Sequence, residues 1–271
     1  MIPMAIAAIV ILVLAMFFLL ALRGRTSHKD LPKLKKWSYA HRGLHTAGAP
    51  ENSLAAFAAA KSAGYGMELD VHLLKDGSLA VTHDHSLKRC TGVDIQIEDL
   101  TAQNLAQYPL EGTGETVPLL SQVLELVDGA VPLIVELKST QENFSRLCEA
   151  TCDLLSGYQG LYCVESFDPR CIYWLRKHRS SVMRGQLVDN LFKTDSKLPW
   201  LLKFLLRHQL LNFLTKPDFI AYDFEDRKTP SNFICRKIWK MQGVTWTIRT
   251  TDDYNTAVKE GWIPIFENFN P

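Results

Sequence analysis

Met67-Glu68-Leu69-Asp70-Val71-His72-Leu73, then Lys75-Asp76-Gly77, then Leu79-Ala80-Val81-Thr82-His83-Asp84-His85, is the stretch from which the fold can be read. Side chains along a strand alternate faces, so residues i and i+2 point the same way. Glu68 and Asp70 therefore project together, while Met67, Leu69 and Val71 project oppositely, the pattern of a half-buried strand. Asp76-Gly77 is a turn signal between two β-like runs. The first run thus folds back as a hairpin, with residues 79–82 as its return arm. Counting back from the turn sets His83 opposite Leu69, beside both carboxylates. Upstream lie Ala40-His41-Arg42-Gly43 and Pro50-Glu51-Asn52-Ser53. Two carboxylates on one strand face offer hard oxygen ligands, suited to Mg²⁺, Mn²⁺ or Ca²⁺ rather than zinc. An arginine supplies a donor fork matched to phosphate oxygens, and histidines move protons near neutrality. Singly, a His-Arg-Gly, an E-x-D strand or a lone histidine is an ordinary structural feature; all of them in this order around one hairpin are not.

Working outward, short apolar runs at 37–40, 67–73, 132–137, 161–165, 183–187, 219–222, 244–248 and 263–266 alternate with helical patterns, among them 53–63, 140–155, 169–178, 231–241 and 252–260. Strand–helix alternation implies a parallel sheet, and eight strands, with the hairpin's return arm left outside, predict a closed (β/α)8 TIM barrel of the α/β class. In that architecture active sites lie at the C-terminal ends of the strands. His41, Asp70, Glu136, Phe167 and Trp246 fall at or just past such ends. Two connections are long, 86–131 (with a helical pattern at 119–127) and 188–217. Inside the second, residues 199–208 are apolar except for a thin stripe at Lys203 and Arg207 and the terminal His208. Two readings of that segment stay open: a barrel helix buried against the sheet, and an interfacial helix dipping into lipid with Trp200 at the head groups.

The chain has 271 residues, 47% hydrophobic and 22% charged, with a net charge of +1. That is ordinary globular composition, and no global field points to nucleic acid. The first 22 residues carry no charged side chain. They are long enough for one membrane-spanning helix and lack the basic start and small-residue cleavage site of a secretory signal, so an uncleaved anchor over 1–22 is expected. Arg23, Arg25, Lys29, Lys33, Lys35 and Lys36 follow, in a basic juxtamembrane linker over 23–36. Positive residues beside a span favour the cytoplasmic side, which orients the 37–271 domain inward in the cell membrane. The cluster either touches anionic lipid or is simply a solvated linker. Cys90, Cys148, Cys152, Cys163, Cys171 and Cys235 are scattered, with no C-x-x-C pair, as buried thiols in a reducing compartment would be.

The motifs resemble those of the glycerophosphodiester phosphodiesterase family. Its HRG, PEN[ST], E-x-D, K-D-G and HD elements stand here as His41-Arg42-Gly43, Pro50-Glu51-Asn52-Ser53, Glu68-Leu69-Asp70, Lys75-Asp76-Gly77 and His83-Asp84. Val135-Glu136-Leu137-Lys138, Ser166-Phe167 and Trp246-Thr247 resemble its E-[IL]-K, S-F and W-T elements. The likeness runs from about Tyr39 to about Phe266. It departs at the end, where Ile265-Phe266-Glu267-Asn268 replaces a strand closing in Thr-Asp, and where Arg249 replaces an Asn that often follows the W-T element. The resemblance also implies that the 86–131 insertion caps the site.

The implied activity is metal-dependent hydrolysis of a glycerophosphodiester to glycerol 3-phosphate and an alcohol. Glu68, Asp70 and Glu136 are the expected ligands of a divalent Mg²⁺, Ca²⁺ or Mn²⁺ ion, the last arriving from the neighbouring strand. Arg42 and Lys138 would hold the phosphate, and His41 and His83 would serve as base and acid, in an order the sequence leaves open. Glu51 and Asn52 are expected to orient Arg42 or a histidine, with Phe167 and Trp246 in the substrate pocket. His45, His72 and His85 are expected at the surface or in support. A lysophospholipase D acting on membrane lysolipids would use the same site with an added apolar groove, and a membrane-anchored binding protein with a dead site is the alternative of another class. The sequence does not specify the oligomeric state.

Overall fold

Every apolar run singled out above is a strand in the computed structural model, which describes residues 2–110, 112–193 and 197–271. Met1, Glu111 and residues 194–196, which fall within the expected anchor, insertion and second long connection, lie outside the described residues. The strands are β1 (Tyr39–Ala40), β2 (Gly66–Leu73), β3 (Leu79–Val81), β4 (Leu133–Leu137), β5 (Tyr162–Ser166), β6 (Arg184–Val188), β7 (Phe219–Asp223), β8 (Gln242–Ile248) and β9 (Trp262–Phe266). Eight run parallel, and β1 pairs with both β2 and β9, which closes the barrel. β3 lies antiparallel on the far half of β2, with Val71 opposite Val81 and His72 opposite Ala80. That register, continued, sets Leu69 opposite His83, and the Thr82 amide donates to the Asp70 carbonyl at 3.0 Å.

The helices are α1 (Ile2–Ala21) and α2 (Leu31–Leu34) before the barrel, α3 (Leu54–Ala63) after β1, α4 (Lys88–Thr91) and α5 (Leu120–Val127) before β4, and α6 (Phe144–Ser156) after it. Then come α7 (Pro169–His178), α8 (Trp200–Arg207), α9 (Asn212–Thr215), α10 (Pro230–Phe233) continuing into a π-helical turn at Ile234–Ile238, and α11 (Thr251–Lys259). Their starts are written locally. Ser53, Asp168, Thr229 and Thr250 each accept a backbone N–H of the first turn, and Pro169 and Pro230 occupy first helical positions that need no donor.

The core has two layers. Tyr39, Ile134, Cys163, Phe219, Val244 and Ile263 fill the barrel interior. Met67, Leu69, Val71, Val135 and Leu137 pack outward against helix residues such as Phe57, Leu147 and Leu175. β2 is therefore not half-buried as its alternation suggested: all eight of its residues are buried, because barrel and helices cover both faces. At Gly185 a Cβ would collide with the Phe219 ring, its registered neighbour on β7. Each large apolar side chain buried in these layers contributes about 1.5–3 kcal/mol.

Residues 23–36, expected as a linker, are folded onto the barrel. Leu31 and Leu34 of α2 join the interior cluster and plug the end opposite the strand C-termini. The Arg25 guanidinium pairs with the buried Asp218 carboxylate at 2.6 Å and also donates to the Ser180 and Val182 carbonyls. Among the described residues one helix is long and apolar enough to cross a membrane, the 18 residues Met4–Ala21. It projects away from the barrel, but its foot is seated: Leu22 packs on Ile220, Cys235 and Met241, and Trp239 Nε1 donates to the Leu19 carbonyl at 2.9 Å. Five cysteines are buried thiols, and Cys90 is half-buried.

α8 is not the barrel helix buried against the sheet that the first of its two readings expected. None of its residues is buried; Trp200 is 66% exposed and Leu201 61%. Its inner leucines line a cavity instead of closing on the sheet.

Candidate active site

The chain turns sharply just past β1. Arg42 and Gly43 are left-handed, with φ of 55° and 80°, and a Cβ on Gly43 would press into the Ala56 backbone at 2.9 Å. Only glycine fits there. The turn is held by the Asn52 amide, which donates to the Arg42 carbonyl at 2.9 Å. It brings His41 and Arg42 over the C-terminal mouth of the barrel. His41, Arg42, Glu68, His83, Glu136, Phe167 and Trp246 line one cavity of about 370 Å³ there. Phe167 and Trp246 meet edge to face at 5.7 Å, and the Trp246–Thr247 peptide is cis.

Glu68, Asp70 and Glu136 each offer an oxygen within 4.8 Å of the others, and all three are buried. The parallel register explains this, since Asp70 of β2 sits opposite Glu136 of β4. Lys138 Nζ lies 2.6 Å from Glu136 and 3.0 Å from Asp70. Arg42 Nε is 3.4 Å from Asp70, and its backbone N–H donates to Glu68 at 3.1 Å. Asn52 Nδ2 donates to Asp70 at 2.8 Å, so its side chain orients a carboxylate rather than Arg42 or a histidine. Glu51 does hold Arg42, at 2.8 Å, and also takes Arg89 at 2.7 Å.

The charges follow from burial and neighbours. Burial alone would raise Asp70, but Lys138, His83 and Arg42 outweigh it and hold the carboxyl well below its usual range. Burial pushes Glu136 up to about 7 against the pull of Lys138, and burial with the Asp70 and Glu136 charges drives Glu68 well up. Glu165, in register with Glu136, is raised likewise by burial, and its Oε2 has no hydrogen-bond partner. Four buried carboxyl groups (Glu68, Asp70, Glu136 and Glu165) thus face two cations, Arg42 and Lys138. The surplus is met either by protonation or by a bound cation. The site is an all-oxygen donor set with an orphaned carboxylate oxygen, which fits a hard divalent ion.

Each candidate proton-transfer histidine is gripped at Nδ1. Glu267 holds His41 at 2.6 Å, and Asp84 holds His83 at 2.6 Å. His41 Nε2 is left 3.9 Å from Glu68. Burial lowers both imidazoles below their ordinary value, although their carboxylate partners work the other way.

Several supporting groups were not singled out in the sequence. Glu267 lies in the closing stretch that departs from the resembled family's pattern, and Arg249 binds its other oxygen at 2.7 Å, so the two departures at the chain's end contact each other. Arg89, in the insertion, bridges Asp84 and Glu51 and so links the two motif loops. Of the two places expected for His72, surface or support, burial removes the first: the residue is fully buried, and its Nδ1 meets Glu98 at 2.8 Å, where His85 also binds at 2.6 Å. Its Nε2 faces the His83 carbonyl at 3.3 Å. These three form a second group able to hold a metal ion among the described residues. Period-two spacing could have paired His72 with Asp70 and the barrel interior, but Glu98 is 26 residues away and nothing local announces it.

Residues 41–269 match the family model of the Glycerophosphoryl diester phosphodiesterase family. The chain is similar to a glycerophosphodiester phosphodiesterase of Bacillus altitudinis, 37% identical over 130 residues, 45% of this chain and 53% of that protein. It is also similar to a lysophospholipase D of Rattus norvegicus, 30% identical over 200 residues, 67% of this chain and 57% of that one. The matches thus span little more than half the length of these relatives. Among solved structures, an Oleispira antarctica phosphodiesterase in complex with the product sn-glycerol-3-phosphate shares the fold, with a TM-score of 0.70 and 22% identity, covering 85% of this chain and 92% of that one.

Proposed function

Because the chain belongs to the glycerophosphoryl diester phosphodiesterase family, we propose that it is a phosphoric diester hydrolase that cleaves glycerophosphodiesters to glycerol 3-phosphate and an alcohol. The observation that carries this is the convergence, in one cavity, of two positioned imidazoles, a guanidinium and an acidic cluster. A dead binding protein has no need of that complete set.

Glu68, Asp70 and Glu136 would hold a divalent ion, Mg²⁺, Ca²⁺ or Mn²⁺. Such an ion neutralises phosphate charge and orients the nucleophile. The rest belongs to the chain's own residues. Arg42, fixed by Glu51, presents its donor fork to the phosphate oxygens, and Lys138 adds a point charge. With Nδ1 occupied, His41 and His83 turn Nε2 to the substrate. One removes the proton of the attacking hydroxyl, and the other returns a proton to the departing alkoxide.

Residues 37–271 form the catalytic barrel in this proposal, and 1–22 its anchor in the cell membrane with the barrel on the cytoplasmic side. The seating of Leu19 and Leu22 on the barrel supports a retained helix, since cleavage there would strip a packed surface. The basic residues after the span support the orientation. The test is alcohol release from glycerophosphocholine by the full chain with each ion and with excess chelator. Turnover is expected with metal, abolished by chelator, and lowered by orders of magnitude in Glu68→Gln. Full activity in chelator would remove the metal assignment, and no turnover under any condition would remove the hydrolase.

A further inference from the structure

His72, His85 and Glu98 stand apart from the chemistry proposed above, and none of them lines the catalytic cavity. His72 Nδ1 and His85 Nδ1 nevertheless converge on a single atom, Glu98 Oε1, at 2.8 and 2.6 Å. The two rings meet edge to face, with centroids 4.8 Å apart. Each member is held by its backbone. His72 sits in the β2–β3 ladder opposite Ala80. Ser86 pairs with Gln96, and the Ile97 amide donates to the His85 carbonyl at 2.8 Å, which sets His85 beside Glu98. Leu87 and Ile97 anchor that loop in a buried cluster with Leu74 and Ala80. A ligand set carried on rigid, packed backbone is what a metal site needs.

The deciding contact is at the other nitrogen of His72. Nε2 faces the His83 carbonyl at 3.3 Å. A carbonyl only accepts, so Nε2 carries the proton, and the neutral ring turns the lone pair of Nδ1 toward Glu98. This is the arrangement of a metal-bound imidazole, whose second nitrogen donates to a carbonyl that fixes its tautomer. Among the described residues the ion-pair partners of Glu98 are these two histidines, so no lysine or arginine takes the cation's place. Two imidazole nitrogens and one carboxylate oxygen differ in kind from the all-oxygen cluster of Glu68, Asp70 and Glu136. A mixed set of this sort suits zinc over magnesium or calcium.

We propose that His72, His85 and Glu98 bind a Zn²⁺ ion, with water as the remaining ligand, and that this ion fastens the 86–131 insertion to β2. Tetrahedral zinc, with bonds of about 2.0 Å, spaces its ligands about 3.3 Å apart. The three atoms therefore part by roughly half an ångström on binding. The His85 side chain, 47% exposed, supplies that shift and leaves a path for the ion and its water. Zinc there sits one imidazole away from the His83 carbonyl, so it also steadies the backbone beside a proton-transfer group.

The test uses the full chain in nanodiscs, stripped of metal and then equilibrated with excess Mg²⁺ to occupy the all-oxygen cluster. Zinc is added in competition with a chromophoric chelator. One zinc per chain is expected, with a rise in Tm and slower hydrogen exchange over residues 83–98. His85→Ala, at an exposed position, should weaken zinc about a hundredfold or more and abolish both responses. Glu68→Gln, which disables the all-oxygen cluster, should leave them intact. Co²⁺ in place of zinc should give the wild type the visible absorption of a tetrahedral site. Should His85→Ala fail to fold, wild-type uptake and the cobalt spectrum still decide. Zinc that binds His85→Ala as tightly as the wild type, or that is lost with Glu68→Gln, overturns the proposal. So does a wild-type chain that takes up no zinc in the presence of magnesium. Uptake, melting and exchange need no turnover, so the outcome is independent of the hydrolase.

Discussion

His41 and His83 sit on different strands' ends, yet each is oriented by a carboxylate at 2.6 Å, Glu267 for one and Asp84 for the other. Proton transfer of this kind is worth ~10²–10⁴ in rate. His41→Ala and His83→Ala should each lose about that much while the acidic cluster still binds metal. If they serve one transfer sequence, the double variant should be little slower than either single one; steady-state kinetics on glycerophosphocholine checks this, and a neutral His83→Ala would remove that histidine from the chemistry. The Glu98 site makes a separate prediction. Burial alone would raise Glu98, but its bonds to His72 and His85 win and hold it down at about 2 against an ordinary 4.5. Its contribution to stability is complete above 4.5 and disappears as pH falls through about 2. His85 is raised above 6.5, first by its bond to Glu98, so its contribution is complete below 6.5 and lost as pH climbs through the raised value. Glu98→Gln should therefore lower Tm most between pH 4.5 and 6.5, with the gap narrowing on either side. A gap that widens steadily above pH 6.5 would contradict the assignment.

Among elements, the β2–β3 hairpin was legible because everything that forms it is local. Asp76-Gly77 sets the turn, the turn sets the register, and the register carries His83 to the level of Leu69. The pairing of Asp70 with Glu136 was anticipated only as convergence of neighbouring strands; its register needed the closed barrel. α8 was the opposite case. Its composition fitted a buried helix and an interfacial one equally, since both are apolar nearly all round. The structure shows leucines lining a cavity inside and an aromatic row outside, where Phe192, Trp200 and Phe204 meet ring to ring. Replacing Trp200, Leu201 and Phe204 by Ser should selectively reduce activity on lysolipid vesicles and spare soluble diesters. Equal losses on both, with a lower Tm, would show that this outer face is ordinary packing.

For the whole molecule, the barrel is closed at one end by α2, and the segment between α1 and α2 is held to it by the ion pair of Arg25 with the buried Asp218 carboxylate. Asp218 is fully buried, and Arg25 supplies its guanidinium while the Arg184 amide donates at 2.9 Å. Removing one partner of a buried pair strands a charge, which costs about 3 kcal/mol or more. A chain beginning at Arg23 should keep both turnover of soluble diesters and most of its stability. One beginning at Asp30, which loses Arg25, should melt well below it, and the single variant Arg25→Ala should reproduce most of that fall. Equal melting temperatures would mean that the 23–29 segment is a plain tether after all.

The sequence by itself determined what local physics writes: the alternating strands, the capped helices, the hairpin with its register, the apolar first helix, and the residue types that chemistry on a phosphate needs. Those depend on neighbours a few positions apart. Only the tertiary structure decided which carboxylates end as a buried surplus, that Glu267 aims His41, that Glu98 joins His72 to His85, and that α8 stands off the sheet. Each of these depends on partners brought together by barrel closure, many of them more than twenty residues apart, and on burial, which changes the charge a side chain carries. No short window of sequence contains either.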